Sequence, residues 1–173
     1  MHPIYITLGN LPFKIRNSLN AKSLLGYLPV IENIPDKFDL ELSANQLKEL
    51  YSEIRRTSFQ NCMDIIFRPL LDQYNTGTLV KLGNNDYKKV VIKLSCIISD
   101  LPEAGSYCLT FKSYNCNKPC YQCIVPQLQL NNIESKYSIR THQDMKQVLL
   151  EEEEKIYSIH SMQNVFWEGH WYL

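Results

Sequence analysis

Apolar residues are spaced in two different rhythms along this chain, and the change of rhythm predicts its elements. Ile4-Tyr5-Ile6-Thr7-Leu8 is β-branched and aromatic, and Gly9-Asn10 followed by Pro12 closes it, which predicts a strand and a turn. Lys14 to Leu28 is mixed in pattern, with Gly26 and Pro29 as punctuation. Glu32 to Glu41 is acidic around Pro35 and reads as a surface loop. The rhythm then becomes helical. Leu47, Leu50, Tyr51 and Ile54 recur at i, i+3, i+4, i+7, and Phe59, Cys62, Met63, Ile66 and Leu70 resume the period. Ser43 and Gln46 have the spacing of a capping box at its start. Pro69 is expected to kink or break this helix, and Asn75-Thr76-Gly77 to end it.

Past Gly77 the period returns to two. Thr78 to Leu82 predicts a strand, Gly83 to Asp86 a turn, and Tyr87 to Ser99 a long apolar strand ending on Asp100-Leu101-Pro102-Glu103. Tyr107 to Phe111 is a candidate further strand, and a cysteine-rich loop covers Asn115 to Pro126. Thr141 and Asp144 open an acidic helix through Met145, Val148 and Leu149, with Glu151 to Glu154 as a solvated face. The expected class is α/β, arranged as one domain over residues 1–173 with a long helix, a cysteine knuckle at 115–126 and an acidic helical tail at 137–173.

Composition narrows the function classes. An apolar share of 45% is that of a globular chain. No apolar run has the length of a membrane span, so no membrane partner is expected. Met1-His2-Pro3-Ile4-Tyr5 has none of the parts of a secretory signal, which predicts an intracellular home, and the nucleus if the chain functions. Lys plus Arg equal Asp plus Glu at 18 each, which argues against a non-specific grip on nucleic acid. The excess of three positive charges over residues 1–136, offset by the acidic tail, is too small to define a DNA surface. Both ends of the chain read as cuts, since it starts on a strand and stops in the aromatic run Trp171-Tyr172-Leu173.

In a reducing compartment, closely spaced cysteines point to metal or redox chemistry more than to disulfides. Cys116, Cys120 and Cys123 lie in Cys-Asn-Lys-Pro-Cys-Tyr-Gln-Cys, and a Cys-x-x-Cys turn brings two thiolates onto one ion. Zinc is the expected metal, being redox-inert and tetrahedral with N and S ligands. The fourth ligand is open: His142 is the candidate taken, with Cys108 and His160 as its competitors. Free thiols on a loop are the plain alternative, and Pro126 argues against a redox pair by preventing a helix directly after Cys123. Cys62 and Cys96 read as packing thiols in a helix and a strand. Asp100, at the end of the expected long strand, has the position where α/β enzymes hold metal-binding acids, although an Asp before Leu-Pro also suits a turn residue bonding local amides. No nucleophile elbow, phosphate-binding glycine loop or dinucleotide fingerprint is present.

Several segments together carry a resemblance. These are His2 to Pro12, Ile15-Arg16-Asn17, Leu24 to Pro29, Cys62-Met63 through Arg68-Pro69-Leu70, and Ile98-Ser99-Asp100-Leu101-Pro102-Glu103. Cys120-Tyr121-Gln122-Cys123 with Val125-Pro126, and Asn164-Val165-Phe166-Trp167, continue the order. The set resembles the central region of Plavaka-type transposases, of the Kyakuja–Dileera–Zisupton superfamily of DNA transposons common in fungal genomes. The resemblance implies an RNase H-like core in which three acids hold two Mg2+ or Mn2+ ions for in-line displacement at phosphorus on DNA. It sets the second acid on Asp100 and the other two outside Met1 to Leu173. The expectation is therefore an incomplete core without independent catalysis, with weak or no DNA binding and a sheet edge open to self-association. The alternative is a zinc-stabilised module retained for binding protein or DNA.

Overall fold

Ser43 sets the start of the longest element. Its hydroxyl accepts from the Gln46 amide while the Gln46 side chain takes the Ser43 backbone N–H at 2.9 Å, the expected capping box. Such a box satisfies two of the orphan donors of the first turn and stabilises a helix by about 1 kcal/mol. The computed structural model describes residues 2–32, 42–111 and 115–167. The acidic loop expected at Glu32 to Glu41 lies, apart from its first residue, outside them, as do His170 and the closing aromatic run.

Two compact units divide the chain, Met1–Ser95 and Cys96–Leu173. In the first, β1 (His2–Thr7) and β2 (Lys22–Leu28) form an antiparallel pair, with the four-residue α1 (Phe13–Arg16) and a 3-10 turn (Leu19–Ala21) between them. The register shifts between Ile4, opposite Gly26, and Tyr5, opposite Leu24, so Leu25 is the extra residue of a bulge. β2 is the strand that the mixed pattern of residues 14–28 conceals.

α2 (Ala44–Thr76) follows as 33 residues without a break. Gln60, Met63 and Phe67 are its buried residues, a stripe at the helical period. Arg55 ties it back to the end of the hairpin segment by donating to the carbonyls of Ile31 and Glu32 at 3.0 and 3.3 Å. The break expected at Pro69 does not occur: the proline sits inside the helix. Arg68 pairs with Asp64 one turn earlier, and Ile65, whose carbonyl loses its donor to Pro69, is 74% exposed and open to water. Gly77 ends the helix at φ 65°, its N–H on the Gln73 carbonyl at 2.8 Å.

β3 (Thr78–Lys81) and β4 (Tyr87–Val90) form the second antiparallel pair, turning through Asn85 at φ 66°. The long strand expected at Tyr87 to Ser99 stops at Val90, because its partner runs out: Thr78, opposite Val90, directly follows the helix-ending Gly77. Residues 91–100 carry no regular element, and Ile98 is 92% exposed. Cys96, expected inside a strand, is accordingly exposed outside one.

The second unit opens with α3 (Leu101–Tyr107) where a turn and then a strand are expected. Asp100 caps it and Pro102 occupies its first turn, an arrangement that starts a helix as readily as it ends a strand. Of the expected strand at 107–111 there remains a single bridge, Thr110 to Ile159. α4 (His142–Leu150) begins as expected, with the Thr141 hydroxyl accepting from Asp144 N–H at 3.1 Å. A short α5 (Glu154–Tyr157) ends on Ser158 in the left-handed region. Met145, Val148, Ile159 and Trp167 form the core of this unit, with Leu149 and Tyr157 packed against it. Both units mix helix and sheet or bridge, so the class is α/β in the broad sense.

Candidate metal centre

The cysteine loop is sewn to chain that follows it much later. Ile124 N–H donates to the Ser138 carbonyl at 3.1 Å and Arg140 N–H to Gln122 at 2.8 Å, framing a bridge between Cys123 and Ile139. Gln127 N–H closes the loop onto the Asn117 carbonyl at 2.9 Å. On the other side, Lys118 N–H donates to the buried Ser158 hydroxyl at 2.9 Å, and the Lys118 ammonium lies 3.4 Å from the centre of the Tyr157 ring. Ser158 is left-handed at φ 57°, and from there its carbonyl receives Phe111 N–H at 2.8 Å.

At the middle lies Arg140. Its Nε donates to the carbonyls of Cys120 at 2.8 Å and Cys123 at 3.3 Å. One terminal nitrogen donates to Lys118 O at 2.7 Å and Tyr157 O at 2.8 Å, and the other meets the Met145 sulfur at 3.4 Å. Burial pulls its pKa down, and Cys120, Cys108, Cys123 and Cys116 push it back up. All four thiols therefore lie within electrostatic reach of one guanidinium.

Cys120 and Cys123 are the two ends of a Cys-x-x-Cys turn whose carbonyls both take the Arg140 Nε–H. Burial raises the Cys123 pKa, with Cys120 adding to the rise and the Val125 amide opposing it. Cys108, at the C-terminal end of α3, is raised to about 11 by burial first, with Arg140 opposing and Cys120 adding. Cys116 is buried, and none of the six cysteines is in a disulfide. Among the described residues, no group of three or more His, Cys, Asp or Glu could hold a metal ion.

The expected site residues thus separate. Cys116, Cys120 and Cys123 belong with Cys108 around Arg140. His142, in the first turn of α4, is half-buried; burial and then Lys146 lower its pKa, and no thiol contributes. His160 packs its ring on Phe111, centroids 4.8 Å apart. Asp100 stands apart as a helix cap, its Oδ1 accepting from Glu103 N–H at 2.8 Å. Arg140 escapes sequence reasoning, and its one signal is a basic residue beside a helix cap in an otherwise acidic tail.

The Asn164-Val165-Phe166-Trp167 segment is built into the same unit. Asn164 and Phe166 are fully buried, the Phe166 ring meets Tyr107 edge-on at 5.7 Å, and Trp167 joins the core with Met145 and Val148. A family model described as Plavaka transposase matches residues 1–173. The chain belongs to the Plavaka transposase family. Neither the curated proteins nor the solved structures compared with it gave a match.

Family membership over the whole chain covers both the hairpin-and-helix unit and the cysteine unit of this Plavaka member. Among its described residues no helix is long and apolar enough to cross a membrane.

Proposed function

We propose that these residues are a transposon-derived, structural part of a DDE-type transposase core, RNase H-like in descent, which folds around a zinc knuckle and does not cut DNA alone. The observation that carries this is the Arg140 clasp on the Cys120 and Cys123 carbonyls, beside the use of Asp100 as a helix cap. Two-metal phosphoryl chemistry requires several carboxylates presented to a shared pair of ions. Asp100 spends one oxygen on its own helix, and its acidic neighbour in the chain, Glu103, belongs to that same first turn.

The reading of zinc rests on residue type and spacing, Cys116, Cys120 and Cys123 with Cys108 upstream. Cysteine thiolate is the usual ligand of structural zinc, although the present positions of these side chains bring no three of them together. Cys108 takes the fourth position in this proposal instead of His142. Bound zinc would take the cysteines as thiolates and cross-link the end of α3 to the loop. The energy of such a cross-link is folding energy, so metal content and stability are linked.

Two measurements test the proposal. Elemental analysis of reduced protein is expected to give about one zinc per chain, bound by the four cysteines; no bound metal sinks the zinc part. A strand-transfer assay with Mg2+ or Mn2+ is expected to give no product, and product formation abolished by Asp100→Asn would overturn the structural role.

A further inference from the structure

A groove of about 320 Å3 runs between α4 and the bridge that joins Ile139 to the cysteine loop. Met145 and Val148, both 4% exposed, form its floor, with Ile124, Ile139 and Tyr157 around them. Asp144 and Glu151, two turns apart along α4, stand exposed on its rim. No lysine, arginine or histidine is among the described residues that line it. The Asp144 carboxylate has no hydrogen bond or ion pair among the described residues, and Glu151 takes the Gln147 amide at 2.6 Å and no cation. An apolar floor thus lies under two unmatched negative charges.

The wall opposite α4 has an open edge. Around the Cys123–Ile139 bridge, Ile124 N–H donates to Ser138 O and Arg140 N–H to Gln122 O. Ile139 lies between these two bonds, so its own N–H and C=O point away from the loop, as at any non-hydrogen-bonded position of an antiparallel pair. Neither group has a partner among the described residues, and Ile139 is 71% exposed. Free main-chain groups beside pockets for alternate side chains are what an extended peptide uses when it adds a strand.

We propose that this groove docks an extended peptide segment in which basic and apolar residues alternate. The peptide backbone pairs with Ile139, an apolar side chain covers Met145 and Val148, and a lysine or arginine answers Asp144 and Glu151. Charge decides the class of partner. An acidic segment would set like charges side by side, and a neutral apolar one would desolvate two carboxylates without compensation. The same two carboxylates repel a nucleic-acid backbone. No cysteine side chain lines the groove, so this site is independent of the zinc reading above.

The test is an amide NMR titration of the full, 15N-labelled chain with the acetylated peptide Val-Lys-Ile-Lys-Val-Lys-Leu and its counterpart Val-Glu-Ile-Glu-Val-Glu-Leu. The lysine peptide is expected to give saturable shifts at Ile139 N–H and along α4, weaker in high salt, and the glutamate peptide to bind more than about tenfold more weakly. The double variant Asp144→Asn, Glu151→Gln is expected to weaken the lysine peptide roughly 5–10-fold, the worth of two exposed ion pairs. Both side chains are exposed, and the spectrum of the variant reports its fold directly. Equal affinity for the two peptides, or an undiminished preference in the double variant, overturns the charge assignment and the proposal with it. No saturable shift with the lysine peptide, or shifts centred away from Ile139 and α4, overturns it as well. Two copies of the lysine peptide, N-methylated at alternate residues in either register, test the strand pairing. Loss of binding in one register is expected, and unchanged binding in both overturns it.

Discussion

The Asn164 side chain donates through Nδ2 to the carbonyl of Tyr107 at 2.6 Å, joining positions 57 apart in sequence. Its Oδ1 accepts from Phe166 N–H at 2.9 Å, so the amide is used at both ends. The family segment at 164–167 is thereby pinned to the C-terminal end of α3, one residue before Cys108.

Asn164→Ala is expected to destabilise the second unit by about 2–4 kcal/mol, since a fully buried amide is lost and the Tyr107 carbonyl loses a donor. Asn164→Asp should be as harmful near neutral pH, because a carboxylate cannot donate to that carbonyl. Denaturant midpoints check both. Equal stability of the three proteins would mean that this pairing does not hold the segment.

Asp100 separates two roles by substitution. As a helix cap it should tolerate Asn, while Ala costs about 1 kcal/mol. As a metal ligand it should lose Mn2+ binding in both. Chemical denaturation and Mn2+ relaxation on the same three proteins are expected to show an Ala-only loss of stability and no change in Mn2+ binding.

Gly77 joins α2 to the β3–β4 pair at φ 65°, and a Cβ there would stand 3.0 Å from the Val90 carbonyl oxygen. Gly77→Ala is expected to cost more than about 1 kcal/mol, from the strained backbone and from backbone that has no room to shift. Its thermal midpoint should fall while that of Gly83→Ala, with nothing within reach of its Cβ, moves less.

Glu154 is held below the usual carboxylate range, first by the Ser161 hydroxyl that donates to it at 2.7 Å. A depressed carboxylate contributes stability that is full above its unfolded pKa and is lost as pH falls through the folded value. Ser161→Ala should raise the Glu154 pKa toward normal, read by carboxyl-carbon NMR, and soften the acid end of the stability profile. An unchanged titration would show that the contact is not kept in solution.

How much of this was legible before the structure follows the range of the interactions involved. The Ser43 box, the Thr141 cap and the Gly77 stop are local: each is a side chain or φ angle acting within four residues, and each is written in the residue types. The strand expected through Ser99 failed for a non-local reason, the length of its partner β3. β2 was hidden because both faces of the β1–β2 pair stay largely exposed, so no alternation of apolar and polar residues marks it. At the site, three cysteines announced themselves by spacing. Cys108 stood there only as one of three candidates for a fourth position, and Arg140 did not stand out, since they reach the loop through the turn after α3 and the segment before α4.

The clasp also fixes an order of events during synthesis. Lys118 through Cys123 leave the ribosome before Arg140, and the Ser158 hydroxyl that receives Lys118 N–H lies 40 positions later. At about 5–20 residues per second, that interval lasts roughly 2–8 s. Over that interval the loop closes in stages, first through Gln127 on Asn117, then through Ser138 and Arg140, and last through Ser158. The cysteine loop of this family member is thus completed from behind, by chain that has yet to be made when its thiols first appear.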